Sequence, residues 1–192
     1  MTHVGVVYDS GYGHTAAQAR AVGEGAAGVG GVTARLYFVE DLTSDPAQLD
    51  VCDAMIFGSP TYMASASASF KLFMEATSRI WLDQRWSGRI AAGFTNSGGH
   101  SGDKLNTLVQ LNLFAMQHGM VWVGLGLLDG NDASSKSVDN LNRLGSYVGA
   151  MAQSNSDQGI EGMFESDLQT ARSLGERVAR AARAWDHKEL SR

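Results

Sequence analysis

The stretch VVYDSGYGHTAAQARAVGEGA, residues 6–26, runs from a short apolar segment through two glycines into an alanine-rich pattern. Its apolar start is typical of a buried parallel strand, and its alanine-rich end is typical of an amphipathic helix. A tight strand-to-helix turn needs only about two or three residues, whereas residues 10–15 all lie between the two patterns. The stretch therefore predicts a βα unit whose connecting loop is longer than the turn requires.

Short apolar runs alternate with helical patterns along the rest of the chain, as in a parallel sheet covered by helices on both faces. Strands are predicted at residues 4–8, 32–38, 54–58, 90–95 and 120–125. Helices are predicted at residues 15–27, 67–79, 103–118 and 167–185. Residues 40–50 are expected to hold little regular structure, and residues 129–166, rich in Gly, Ser and Asn, to form a long connection. No domain boundary is visible, so residues 1–192 are predicted to form a single domain.

The composition predicts a mildly acidic soluble protein. The formal net charge is −5, and no block of like charge suggests a nucleic-acid surface. No apolar run approaches the roughly 20 residues that span a bilayer. The only cysteine, Cys52, excludes an intrachain disulfide, and the first residues lack a signal-peptide pattern, so a cytoplasmic protein is expected. The five histidines are scattered, and no metal site is expected.

The loop at residues 10–15, called the first loop below, has the features of an anion site. The first turn of a helix leaves N–H groups unpaired and carries partial positive charge. Gly11 and Gly13 permit close approach to the backbone, while the hydroxyls of Ser10 and Thr15 can donate to phosphate oxygens. The dinucleotide pattern GxGxxG is met only if Ala16 replaces its third glycine. For this loop alone, phosphate binding and an ordinary capped turn both remain open.

Two further loops point to the same edge of the predicted sheet. GSPTYMASASASF, residues 58–70, follows the third strand, and FTNSGGHSGDKLN, residues 94–106, follows the fourth. In open α/β sheets, ligands bind outside the carboxyl ends of the strands. A phosphate in the first loop and a flat ring between the other two describe a mononucleotide with a large planar base, a shape that FMN fits.

Several separate segments carry a family resemblance: YDSGYGHT, IFGSPTYM, IWLDQRWSGR, FTNSGGHSG, QHGMVWVG and DLQTARSLGERVA. With them, nearly the whole chain resembles the flavodoxin-like FMN proteins, and among these the WrbA-type NAD(P)H:quinone oxidoreductases. The resemblance implies an α/β, flavodoxin-like three-layer sandwich with a five-stranded parallel sheet of order 2-1-3-4-5. It also implies noncovalent FMN and a homo-oligomer, dimer or tetramer, whose active sites often use more than one subunit.

The resemblance also implies the cofactor-binding residues. The first loop comprises Ser10, Gly11, Tyr12, Gly13, His14 and Thr15; the second, Pro60, Thr61, Tyr62 and Met63; the third, Asn96, Ser97, Gly98, Gly99, His100 and Ser101. Tyr12 and Trp81 are expected on the substrate side of the flavin, and either His118 or Gln117 takes the place of a flavin-facing histidine. The second loop departs from the family's usual PTRFGN, which leaves the identity of the substrate open.

The leading hypothesis is an FMN-dependent enzyme that passes hydride from NADH or NADPH to a quinone or a similar acceptor. The cofactor would supply the chemistry, so no catalytic side chain is predicted. The first alternative is a flavodoxin-type electron carrier without a substrate pocket of its own, and the second is a scaffold in which FMN is regulatory or vestigial. A subunit interface is predicted around Trp81, Trp86 and Met151, and for Trp86 a plain place in the core or at that interface is the leading expectation.

Overall fold

A computed structural model describes residues 1–185 of the chain. Its strands are β1 Thr2–Tyr8, β2 Val32–Phe38, β3 Ala54–Tyr62, β4 Ser65–Ala66, β5 Ile90–Ser97, β6 Val121–Trp122 and β7 Ala150–Gln153. Its helices are α1 His14–Ala27, α2 Val39–Leu42, α3 Ala68–Ala76, α4 Ser78–Leu82, α5 Lys104–Gln117 and α6 Glu165–Ala184, with short 3₁₀ helices at Pro46–Val51 and Ile160–Gly162.

The main sheet is parallel and has the order β2-β1-β3-β5-β6. The predicted order 2-1-3-4-5 is confirmed, because β4 is only a two-residue strand that pairs antiparallel with the end of β3. The central strands β3 and β5 are buried almost throughout, which explains their nearly continuous apolar sequences.

The last predicted strand, at residues 120–125, is shorter than expected. β6 pairs only with the start of β5, at Ile90 and Ala91, whereas β7 pairs with the end of β5. Backbone hydrogen bonding explains the break: the N–H of Val123 still donates to β5, but that of Leu125 donates to Tyr147 instead. The chain therefore leaves the sheet after β6 and returns to the same side of β5 as β7.

Two other expectations need correction. The predicted helix at residues 67–79 is divided into α3 and α4 at Thr77, whose hydroxyl donates to the Met74 carbonyl over 2.7 Å. Residues 40–50, expected to be irregular, contain most of α2 and the start of a 3₁₀ helix with Pro46 in its first turn. Proline suits that position because the first N–H groups of a helix lack partners within it.

Helices cover both faces of the sheet, so the described chain has the three layers of the predicted sandwich. On one face α1 packs against α6, and their backbones approach closely at two glycines. A Cβ on Gly25 would lie 1.9 Å from the Arg172 carbonyl oxygen, and one on Gly175 would lie 1.9 Å from that of Val22. Glycine normally weakens a helix, and here the close helix pair requires it.

The other face carries an aromatic core beneath α3 and α5. Phe57, Phe70, Phe73 and Phe114 meet in edge-to-face pairs. Trp86 is fully buried in the same core, and its indole N–H donates to the Asp50 carboxylate over 2.9 Å. The placement of Trp86 at a subunit interface is therefore wrong, because its ring is already covered within one chain.

Candidate functional site

A cavity of about 310 Å³ opens at the carboxyl edge of the sheet, where β1, β3 and β5 end side by side. It is called the loop cavity here and is lined by Ser10, Tyr12, His14, Thr15, Pro60, Thr61, Tyr62, Asn96, Ser97, Gly98, Ser154 and Ser156. The three predicted loops thus meet at one place, as parallel strands require. His100 and Ser101 line a larger cavity that shares no lining residue with the loop cavity, and the lining of the loop cavity does not include Gly11, Gly13, Met63 or Gly99.

The first loop is organised by the hydroxyl of Ser10. Its oxygen accepts hydrogen bonds from the N–H groups of Gly13 and Ala16, each over 3.1 Å. Gly13, at φ 90°, has the left-handed conformation that turns the chain into α1. A serine hydroxyl has two lone pairs and one proton. Since both lone pairs are used by the loop, the remaining function of this hydroxyl is to donate.

Other donors of the first loop have no partner. Across residues 1–185, no protein group accepts from the backbone N–H of Tyr12, His14 or Thr15. The Thr15 hydroxyl makes no side-chain hydrogen bond within the same residues, although only 2% of this residue is exposed. These groups lie at the amino end of α1, where the helix dipole adds positive potential. The first loop therefore offers an anion both N–H and O–H donors.

The second loop is a tight hairpin between β3 and β4. Met63 and Ala64 have φ angles of 47° and 63°, and the pair Tyr62–Ser65 closes the turn around them. Positive φ at both central positions matches the two-residue hairpin turn that fits the twist of a sheet. The residues that depart from the family's PTRFGN thus make a compact turn, and 98% of Met63 is exposed at its tip.

Thr61 and Tyr62 differ in whether their side chains are available to a ligand. The Thr61 hydroxyl is 2.8 Å from the hydroxyls of both Thr95 and Thr107, so its side chain is used within the protein. Tyr62 lies beside the first loop, with its ring centroid 6.4 Å from that of Tyr12 in an edge-to-face arrangement. Burial raises the pKa of the Tyr62 phenol, which keeps this group neutral at physiological pH.

The third loop contains a buried acceptor without a donor. Asn96 donates through Nδ2 to the Ser154 hydroxyl over 2.9 Å. Its Oδ1 is buried and has no hydrogen-bond partner among the described residues. Buried polar atoms are almost always satisfied, so this oxygen is suited to a ligand that brings an N–H or O–H group into the cavity.

Sequence reasoning missed the contribution of the predicted long connection, residues 129–166, and that of a buried lysine. Ser154 and Ser156 complete the cavity wall, and the His14 imidazole Nε2 is 3.0 Å from the Gln158 carbonyl oxygen. Lys104 is completely buried behind the third loop. The sequence gives no signal for either the residues of the long connection or Lys104. Residues 129–166 lack periodicity, and a lysine at a helix start is normally solvated.

Trp81 and His118 lie in a different depression of about 390 Å³, called the amino-edge pocket here, which Thr77, Phe114 and Gln117 also line. The linings of the two cavities share no residue. α5 begins at the third loop and has 14 residues, so its far end lies about 21 Å away at a rise of ~1.5 Å per residue. One chain therefore does not bring Trp81 or His118 to the loop cavity.

His118 is packed as a core residue. Its Nε2 is 3.0 Å from the Thr77 hydroxyl, and its ring centroid lies 4.6 Å from Trp86 and 4.8 Å from Phe114. Burial lowers the pKa of His118 to about 4, so the imidazole is neutral at physiological pH. Gln117, the alternative for the flavin-facing position, is exposed.

Two more of the predicted absences concern the described part of the chain. In residues 1–185, no three or more His, Cys, Asp or Glu side chains gather as metal ligands would. No helix within these residues has the length and apolar character needed to cross a membrane.

The sheet order and a donor-rich loop at the carboxyl ends of its strands define the flavodoxin-like class of α/β proteins. Within it, the chain belongs to the NADPH-dependent FMN reductase family, which it matches over residues 13–132. It is 40% identical over 184 residues to flavodoxin FldP of Pseudomonas aeruginosa, an alignment that covers 94% of this chain and 96% of FldP.

Two further similarities complete the comparison. The chain is 37% identical over 137 residues to an NAD(P)H dehydrogenase (quinone) of Archaeoglobus fulgidus, covering 71% of this chain and 63% of that protein. The solved structure of a WrbA-like flavodoxin from Agrobacterium tumefaciens has 40% sequence identity and a TM-score of 0.76, and the match covers 97% of this chain and 100% of that one. The WrbA-type resemblance of the sequence is thereby confirmed.

Proposed function

We propose that this protein binds FMN in the loop cavity and passes hydride from NADH or NADPH to a quinone or a similar acceptor. The observation that carries the proposal is the set of unpaired donors in the first loop, at the amino end of α1. Membership of the NADPH-dependent FMN reductase family supports it. The quinone is suggested by the Archaeoglobus fulgidus relative, which is named as an NAD(P)H dehydrogenase (quinone).

The residues of the loop cavity fit FMN. The first loop would hold the phosphate through the hydroxyls of Ser10 and Thr15 and the free N–H groups. The unpartnered Oδ1 of Asn96 would accept from an N–H or O–H group of the cofactor. When bound, FMN supplies the redox chemistry, accepting hydride from a nicotinamide and delivering it to an acceptor.

The protein's own part is to bind and orient. Tyr12 is 81% exposed beside the loop cavity and offers a flat aromatic face for a nicotinamide or quinone ring. The neutral Tyr62 phenol beside it adds no charge to that side of the cavity. No acid–base pair is required for hydride transfer, in keeping with the absence of a predicted catalytic side chain.

A role for Trp81 or His118 at the flavin requires a second chain, because neither reaches the loop cavity of its own. We therefore retain the homo-oligomer as part of the proposal. The exposed apolar residues of α5 support an association surface: Leu105, Val109, Leu113 and Met116 recur at helical spacing along one side. Of the interface residues named from the sequence, Trp81 remains 46% exposed, whereas Trp86 is buried.

A cytoplasmic location is also part of the proposal. The only cysteine, Cys52, is buried and free, which is typical of proteins from a reducing compartment.

The second candidate is an electron carrier. The relative named flavodoxin FldP favours it, since the similarity spans almost the whole of both chains. A carrier would bind FMN in the same cavity but would depend on a partner reductase rather than accept hydride from a nicotinamide. FMN binding alone cannot separate the two candidates, so reduction by nicotinamide must be measured directly.

The test begins with titration of the apo protein with FMN, followed by anaerobic stopped-flow mixing of the loaded protein with NADH and with NADPH. The oxidoreductase predicts rapid bleaching of the flavin with at least one of them. With quinone as second substrate, a single shared site predicts parallel reciprocal plots, because the nicotinamide must leave before the acceptor enters. Absence of bleaching with both nucleotides contradicts the enzyme and supports the carrier.

A further inference from the structure

The third loop rests on a buried lysine. Lys104 is the first residue of α5, and its side chain is completely buried. Its Nζ lies 2.9 Å from the Ser97 hydroxyl, 2.6 Å from the Gly99 carbonyl oxygen and 2.9 Å from the His100 carbonyl oxygen. An ammonium group has three N–H donors, so these three acceptors account for all of them.

The carbonyl groups of the loop are all bonded to the protein. In addition to the two that Lys104 holds, the Ser97 carbonyl accepts from the Ser154 N–H, and the Gly98 carbonyl accepts from Gln153 Nε2 over 3.0 Å. The C=O and N–H of a trans peptide point in opposite directions. Because the carbonyl groups point toward protein donors, the N–H groups of the same peptides point away from the protein.

The N–H groups of residues 98–102 have no acceptor among the described residues. A run of free N–H groups in a loop forms a concave donor surface that favours negative charge. Gly98, the first of them, lines the loop cavity with the donors of the first loop. The third loop thus reaches the loop cavity at Gly98, while His100 and Ser101 of the same loop line the larger cavity.

The charges behind this loop do not cancel. The Arg143 guanidinium donates to the Asp167 carboxylate over 2.8 and 2.6 Å, and both side chains are 2% exposed. Asp167 also accepts from the N–H of Gln153. Lys104 makes no ion pair of its own in residues 1–185, so the group of Lys104, Arg143 and Asp167 carries one net positive charge beneath the loop.

We propose that Lys104 is a positioning residue for the FMN ring, which holds the third loop with its N–H groups outward and places a buried positive charge behind it. This inference rests on the proposed function, since it concerns the same cofactor. Reduction adds negative charge to the flavin ring, and a fixed positive charge nearby favours the reduced form. Lys104 therefore strengthens FMN binding and raises the midpoint potential of the bound cofactor.

The wild-type protein should show this role in its pH dependence. Burial lowers the pKa of Lys104 to about 8; Asp167 opposes this change and Arg143 adds to it. The exposed His100 and Asp103 are the titratable side chains of the loop itself. A neutral amine has only two N–H donors, so one of the three acceptors loses its partner when the lysine deprotonates. FMN affinity should therefore fall as pH rises above about 8, a range in which the phosphate is already dianionic.

The variant to test is Lys104→Met, which keeps an unbranched side chain and removes the charge and all three donors. The control is Lys136→Met, which removes the same charge from an exposed lysine paired with Asp132. FMN affinity of the apo proteins is measured by quenching of flavin fluorescence, and the midpoint potential by anaerobic dye equilibration. We expect Lys104→Met to bind FMN about tenfold or more weakly and to have a lower potential, with Lys136→Met unchanged in both.

The outcomes separate this inference from the proposed function. Failure of the wild-type protein to bind FMN overturns the proposed function itself. Normal wild-type binding with unchanged affinity and potential in Lys104→Met overturns the role of Lys104 alone. Weaker binding with an unchanged potential also overturns it, because a purely structural lysine would weaken oxidised and reduced FMN equally. If Lys104→Met does not fold, the wild-type pH series decides: affinity that stays constant from pH 7 to about pH 9.5 overturns the inference.

Discussion

The two edges of the sheet differ in how their hydrogen-bonding groups are used. At the carboxyl edge, and within the described residues 1–185, the first loop has backbone N–H groups and a Thr15 hydroxyl without protein partners, and Asn96 has a buried oxygen without a donor. At the amino edge, the Nε2 of His118 is held by Thr77 and its ring is enclosed by Trp86 and Phe114, so that its buried Nδ1 is the one unpaired side-chain atom of that residue among residues 1–185. A binding site needs polar groups that the fold leaves unpaired, and within one chain the carboxyl edge meets this condition better.

The largest effect on binding is expected at Ser10. Ser10→Ala removes the acceptor for the Gly13 and Ala16 N–H groups together with the proposed donor to phosphate. We expect FMN binding to weaken by about 3 kcal/mol, roughly a hundredfold, as measured by fluorescence titration of the apo protein. Ser173→Ala is the control, because this serine lies inside α6 and its hydroxyl donates to the Gln169 carbonyl of the preceding turn. Equal affinity of the two variants would remove the first loop from the site.

At the amino edge, an effect of similar size is expected on the free energy of unfolding. The pKa of His118 is lowered to about 4 in the folded protein, whereas an unfolded histidine titrates near 6.5. The unfolded state therefore binds a proton first as pH falls, and the stability present above pH 6.5 is lost toward pH 4. The contribution is about 3 kcal/mol.

Urea unfolding of wild type and His118→Phe at pH 7 and pH 4 measures this contribution. The phenyl ring keeps the aromatic packing and removes the titration, so the free energy of unfolding of the variant should fall less on acidification. Parallel losses in the two proteins would show that His118 already titrates in the folded state as it does in the unfolded one. FMN affinity at pH 7 should be the same in both if the two edges are independent.

A smaller effect is expected at Thr15. Thr15→Val keeps the shape of the buried side chain and removes its hydroxyl, which makes no side-chain hydrogen bond in residues 1–185. Loss of one charge-assisted donor should weaken FMN binding by about 2 kcal/mol. Thr43→Val is the comparison, since that hydroxyl donates only to the Val39 carbonyl. A Thr15 variant that binds FMN like wild type would show that the phosphate does not need the Thr15 hydroxyl in addition to the backbone N–H groups.

The smallest effect on FMN binding is expected at Trp81. This residue lines the amino-edge pocket and is absent from the loop cavity, so Trp81→Ala should leave FMN affinity within about 0.5 kcal/mol of wild type. Turnover with quinone should nevertheless fall if a second chain brings Trp81 to the flavin. Sedimentation at micromolar concentration and steady-state kinetics test both parts together. A fully active monomer would end the proposed role of Trp81.

The three loops differ in how much of each could be predicted from the sequence. The first loop was predictable because glycines and hydroxyl residues lie between a strand pattern and a helix pattern, where local geometry alone exposes donors. The second and third loops were placed at the same edge because parallel strands end together. Ser154 and Ser156 were not predictable, because their contribution depends on a chain segment that returns to β5 after leaving the sheet. Lys104 was not predictable because a lysine at a helix start is normally solvated.

The sequence by itself determined the alternation of strands and helices and the position of the glycine- and hydroxyl-rich first loop, since each follows from local periodicity or local turn chemistry. The order of the sheet was implied by the family resemblance. Only the tertiary structure decided which polar groups remain unpaired. It buried Trp86 and His118 in the aromatic core, shortened the last predicted strand to β6, and placed β7, from the predicted long connection, beside the end of β5. These outcomes depend on contacts between residues far apart in the chain, and no local pattern records which donor meets which acceptor.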